Sequence, residues 1–203
     1  MKGRDLGILA ALAVLGLVLL IAVGQLLGER IETGRQAAAE RALLDLLPPG
    51  SYDNHPLAQP IALPASELLG NPALTQAWLA SRQGLPVAVL LPATAKGYEG
   101  PIHLLLAIRP DGRLLATKVL GHRETAGIGD RIEPARSAWL RQTFSDAALA
   151  SHPEAEWRVK ADKGQFDQIA GATITSRAVV SAIQHALQYF DGHRQLLLGE
   201  TSP

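Results

Sequence analysis

PIHLLLAIRPDGRLLATKVL, residues 101–120, decides the fold class. Ile102 to Ile108 and Leu114 to Leu120 are apolar runs of strand length, joined by Arg109-Pro110-Asp111-Gly112-Arg113. Proline presets φ, aspartate bonds its own backbone and glycine accepts a positive φ, so the join is a turn and the whole a β-hairpin. Working outward, Val87 to Leu91 is a third short apolar run. Val179, Val180, Ile183, Leu187 and Phe190 recur at helical spacing and predict an amphipathic helix over Ser176–Phe190, packed on the sheet. A shorter helix is expected around Ala135–Phe144 and a strand over Trp157–Lys160. Hairpins with helices outside them give an α+β class with an antiparallel sheet.

The chain begins differently. Leu6 to Gly28 carries no charge, and only Gln25 in it is clearly polar. As a helix this stretch spans roughly 34 Å, enough for a hydrocarbon core of ~30 Å. A cleaved secretory signal has a shorter apolar core of about 7–15 residues, so the length favours a retained single transmembrane helix. Lys2, Arg4 and the amino terminus precede it, while acids and bases balance after it. Arg30 and Arg35 follow it, so Lys and Arg number two on each side nearby, and the charge of the amino terminus tips this balance towards a cytoplasmic N-terminus with the rest on the exported side. Three parts are expected: residues 1–28 as tip and anchor, 29–47 as a helical stalk stopped by Pro48-Pro49-Gly50, and 48–203 as the exported domain. Five prolines in 48–64 make the start of that domain extended and turn-rich.

Composition narrows the chemistry. The 203 residues hold 19 basic and 19 acidic side chains and no cysteine. Without cysteine this chain has no thiolate iron–sulfur site, c-type haem attachment, Cys-zinc site, disulfide or cysteine nucleophile. The neutral balance argues against nucleic acid as a partner, because phosphate binding leaves a basic footprint. Six histidines show no HExxH or comparable ligand spacing, and no GxSxG elbow is present, so neither a metal nor a hydrolase triad is expected.

Three segments could carry chemistry. Asp167 to Arg177 reads DQIAGATITSR, with small residues at 170–172 and hydroxyls at Thr173, Thr175 and Ser176 just before a helix. A helix N-terminus offers unpaired N–H groups and the positive dipole end, a seat for phosphate; the alternative is an ordinary Ser/Thr cap. Gly121 to Arg131 reads GHRETAGIGDR and follows a strand. Its glycines expose backbone N–H groups to a ligand's carbonyls or ring nitrogens, or else form a long surface turn. Lys96-Gly97-Tyr98-Glu99-Gly100-Pro101 is a tight turn that could point Tyr98 at a ligand.

The order of anchor, YEGPI, GHRETAGIGDRI and DQIAGATITSRAV resembles the G subunit of the Rnf (or Rsx) electron transport complex. It is also similar to the C subunit of the sodium-translocating NADH:quinone reductase. Both families carry an FMN-binding domain. The last motif resembles the flavinylation signal Asp-x-x-(Ser/Thr)-Gly-Ala-Thr. That resemblance implies one FMN joined through its phosphate to Thr173 by a separate flavin transferase, with FAD as donor and Asp167 at the signal's start. Ala170 departs from the pattern, which has a hydroxyl there. The same resemblance makes Gly171 and Ala172 the clear approach to the phosphate and Thr175 and Ser176 candidate phosphate donors. Glu124, Thr125, Ala126, Gly127, Ile128, Gly129 and Tyr98 become candidate contacts to the flavin ring.

The implied function is electron relay within a ferredoxin- and NAD-linked, ion-translocating complex of the bacterial inner membrane. The chain would have no independent turnover, no metal and no catalytic residue of its own. Its partners would be the other subunits, the membrane and the transferase. Two alternatives stand beside this: a C subunit of the sodium pump, or a membrane-tethered scaffold without redox chemistry.

Overall fold

The computed structural model describes Gly16 and residues 43–199. The expected anchor and nearly all of the expected stalk lie outside the described residues. The chain divides into two units, residues 1–45 and 46–203, and the sheet with its packed helices belongs to the second.

Five strands form an antiparallel meander in sequence order: β1 (Ile61–Leu63), β2 (Thr75–Arg82), β3 (Leu85–Lys96), β4 (Pro101–Ile108) and β5 (Leu114–Gly121). The helices α1 (Trp139–Phe144), α2 (Thr173–Gly192) and α3 (Arg194–Leu198) come after them in the chain. The α+β class with an antiparallel sheet, expected from the sequence, is the one observed. The β4–β5 turn closes as its residues require: Asp111 Oδ1 accepts from Arg113 N–H at 3.0 Å, and Gly112 has φ +84°.

β3 outruns its apolar stretch. Pro92 ends the sequence signal, yet the strand continues to Lys96 and pairs Pro92 with Leu105. The Thr94 N–H reaches Leu69 O at 2.8 Å, and alternation turns position 92 to the same side. The β2 ladder ends at Trp78–Leu90, so the proline's missing donor breaks no ladder bond. β2 itself gives no apolar run to read, because its fully buried positions are the small Ala77 and Ala80.

The core lies between α2 and the sheet. Val179, Val180, Ile183, Leu187 and Phe190 meet Val89, Leu91, Leu104, Leu106 and Ile108, all buried. Each large side chain buried here is worth about 1.5–3 kcal/mol relative to exposure. α2 begins three residues earlier than the apolar period suggests and ends two later, so Thr173 is its first residue.

Two expectations need correction. Trp157–Lys160 is not a strand: among the described residues its only strand pairing is an isolated bridge, Val159 to Phe166. Lys163, at φ +63°, folds this segment back at once, and burial comes from rings instead. Phe166 stacks on Phe144 at 5.1 Å and lies 4.8 Å from Trp157. The helix expected from Ala135 starts only at Trp139, because Glu133 to Ser137 form a turn held by bonds to the Glu133 carbonyl.

Candidate functional site

The start of α2, the loop after β5 and the β3–β4 turn come together at one end of the sheet. They enclose a cleft of about 450 Å³ lined by Tyr98, Thr125, Ile128, Gly129, Gly171, Ala172, Thr173, Ile174 and Thr175. That volume falls in the range of about 300–1,000 Å³ usual for small-molecule sites. The three segments singled out in the sequence thus form one site.

The α2 terminus is uncapped. Ala172 occupies the N-cap and no side chain caps the helix, so the cap reading of the hydroxyls fails. The first helical bond runs from Ser176 N–H to Ala172 O at 2.9 Å, leaving the N–H groups of Thr173, Ile174 and Thr175 for a ligand. The three hydroxyls differ sharply. Ser176 is fully buried; its Oγ accepts from Ile169 N–H and donates to Ala172 O, both at 2.9 Å. Thr175 is buried and donates to Glu124. The Thr173 hydroxyl, half-buried on the cleft wall, has no hydrogen-bond partner among the described residues.

Glu124 does not line the cleft but braces it from behind. Its carboxylate is buried and accepts from Tyr98 N–H at 3.2 Å, Glu99 N–H at 3.1 Å and the Thr175 hydroxyl. One side chain therefore ties the β3–β4 turn, its own loop and the first turn of α2. Gly97 makes room for it: a Cβ there would stand 2.4 Å from Glu124 Oε1. Nothing in the motif's wording signals this brace, although a Glu within an otherwise small, glycine-rich loop is the available cue.

The loop 122–133 is stapled internally. His122 Nδ1 accepts from Glu124 N–H at 3.0 Å, and Nε2 lies 3.0 Å from Glu133 Oε1. The N–H groups of Ile128, Gly129 and Asp130 converge on Thr125 O at 2.8–3.2 Å. They are turned into the loop, so a ligand is left those of Thr125, Ala126 and Gly127. Ala126 and Gly127 are exposed beside the cleft, and the Thr125 hydroxyl donates to Glu99 at 3.1 Å.

The other half of the DQIAGATITSR motif faces elsewhere. Asp167 and Ala170 line a second cleft of about 440 Å³, with Arg131, Trp139 and Gln142 among its other walls. The Asp167 carboxylate pairs with Lys160 at 2.7 Å, and its carbonyl accepts from the Trp139 indole N–H at 2.8 Å. Arg177 is bidentate to Asp162 at 2.6 and 2.8 Å, so its charge is already matched. The guanidinium's hydrogen bonds hold the Asp162 carboxyl below its ordinary range, burial opposing them, and Asp162 raises Arg177 in turn. No cluster suited to a metal ion occurs among the described residues.

Residues 97–188, which contain the whole cleft, match the FMN-binding domain family. The chain is 46% identical to the G subunit of the ion-translocating oxidoreductase complex of Pseudomonas aeruginosa strain UCBPP-PA14, over 96% of this chain and 91% of that one. It is 36% identical to the protein of the same name from Vibrio cholerae strain M66-2, over 97% and 93%. The crystal structure of Shewanella oneidensis NqrC overlaps 69% of this chain and 68% of its own, with a TM-score of 0.47 at 21% identity. Full-length likeness to the first two settles the kinship: the chain belongs to the family of G subunits of ion-translocating oxidoreductase complexes.

Proposed function

We propose that this chain relays electrons within such a complex on one FMN, held as a phosphoester of Thr173. The free Thr173 hydroxyl, opening onto a cleft at an uncapped helix N-terminus, carries this reading. The residues present fit the group. The hydroxyl is an unencumbered acceptor for a phosphoryl group, and three unpaired N–H groups beside it would bind the phosphate oxygens. The aligned peptide dipoles of a 20-residue helix favour an anion at that end. When bound, the flavin supplies the electron storage, and the chain supplies orientation and electrostatics.

Residue roles follow from the geometry. Tyr98 and Ile128, exposed at the rim, would flank the ring; Gly171 and Ala172 keep the approach to Thr173 open. Thr175 and Ser176, whose protons point inward, hold the scaffold and do not donate to phosphate. Ala170 lies on the second cleft, so a hydroxyl missing there bears on how a flavin transferase grips the Asp167 signal, not on the flavin cleft. We place residues 6–28 across a bacterial inner membrane, 29–47 as the stalk and 48–203 as the exported FMN domain, N-terminus cytoplasmic. The relatives' names favour a G subunit over the sodium-pump C subunit and over a non-redox scaffold.

The test is flavin fluorescence of the denatured, gel-resolved protein co-produced with a flavin transferase. The wild type should fluoresce and Thr173→Ala should be dark. Equal fluorescence from Thr173→Ala would refute the attachment site.

A further inference from the structure

We propose that Glu124 is a positioning residue whose buried, cation-free carboxylate lowers the potential of the flavin held in the adjoining cleft. The inference rests on the flavin reading above. Glu124 is only 6% exposed, and among the described residues it forms no ion pair. Two backbone N–H groups and the Thr175 hydroxyl point at it, and no acceptor does, which is the surrounding of an anion. Its nearest oxygen is one side chain from the cleft: Thr175 bonds it and lines the wall, and a Cβ on the wall residue Gly129 would stand 3.4 Å from Oε2.

This placement has two consequences. First, the Thr175 proton is committed to Glu124, so towards the cleft that hydroxyl presents lone pairs only. It can accept from a ribityl hydroxyl or a ring N–H, and it cannot stabilise added negative charge. Second, two electrons and one proton added to an oxidised flavin leave it one unit more negative. A fixed carboxylate buried in the wall opposes that change more strongly than one in water. The buried position without a counter-cation therefore biases the couple towards the oxidised form.

Charge and bracing can be separated. Glu124→Gln keeps the length and removes the charge; Glu124→Asp keeps the charge and shortens the brace. Full-length wild type and both variants are co-produced with a flavin transferase and titrated with dithionite and mediators. Covalent flavin is quantified first on denatured protein. No flavin on wild-type Thr173 would defeat the underlying flavin reading; flavin present in all three leaves this inference to be judged alone. Glu124→Gln should raise the midpoint potential so that the reduction equilibrium shifts at least about tenfold, which for a two-electron couple is about 30 mV. Glu124→Asp should stay near wild type although its melting temperature falls. An unchanged potential in Glu124→Gln, or a shift that follows the melting temperature instead of the charge, would overturn the proposal. If Glu124→Gln does not fold, Glu124→Asp together with Thr175→Ser, which keeps the donor, must both retain the wild-type potential.

Discussion

Replacing Gly97 with alanine tests whether Glu124 braces the site. An added Cβ would meet Glu124 Oε1 at 2.4 Å, Ile102 Cδ1 at 2.7 Å and Glu124 Cδ at 2.9 Å. Overpacking of this kind costs about 1–3 kcal/mol. Moving the carboxylate also weakens bonds from Tyr98 N–H, Glu99 N–H and Thr175, and bonds to charged groups are worth about 1.5–3 kcal/mol each. Partial loss brings the total to about 3 kcal/mol, or a fall of about 6–12 °C in melting temperature for a chain of this size. Two of the three clashing atoms belong to Glu124, and the third is the terminal methyl of Ile102. In a Glu124→Ala background the same alanine should therefore cost under about 1 kcal/mol, a coupling of about 2 kcal/mol. Thermal melts of the four proteins of this cycle give the answer. Additive costs, agreeing within about 0.5 kcal/mol, would refute the brace.

Two further changes probe the start of α2. Ser176→Ala strands the buried Ile169 N–H and should lower stability by about 1–3 kcal/mol in denaturant titrations; a loss below about 0.5 kcal/mol would mean that the hydroxyl holds nothing. Arg177 depresses the Asp162 carboxyl from its ordinary 3.8, so the pair's stability is present above that value and is lost as the pH falls through the lowered one. Asp162→Asn should therefore flatten the acid limb of a melting-temperature profile below about pH 4 and leave the neutral plateau's slope unchanged; an unaltered acid limb would contradict the pairing.

Much of this architecture is legible in residues 101–120 and 176–190, where the turn chemistry and the helical period each admit one reading. Failures have physical causes. Pro92 masks the second half of β3 because a proline's cost depends on which neighbour its nitrogen faces, a fact of pairing and not of sequence. Trp157–Lys160 has strand composition, but Phe144 and Phe166 claim its bulk for an aromatic cluster. At the site, the residues that gather are visible as motifs, whereas their division of labour is not. Thr173, Thr175 and Ser176 look alike on paper. A helix turns each residue by about 100° from the last, so Ser176 faces the core while Thr173 and Thr175 reach the cleft wall, and of these two only Thr173 keeps its hydroxyl unpartnered among the described residues, because Thr175 donates to Glu124. Glu124 changes roles for the same reason: a carboxylate in a polar loop reads as a ligand contact until three donors from other segments are found around it.

Covalent flavin on one hydroxyl out of three is tested by peptide mass spectrometry. Protein from its native host would be denatured and digested, and the peptide containing Thr173 sought with the mass of FMN minus water added, alongside protein made without a flavin transferase. That mass, fragmenting to place the group on Thr173, is expected in host-made material only. An unmodified peptide from the host, or the group on Thr175 or Ser176, would contradict it.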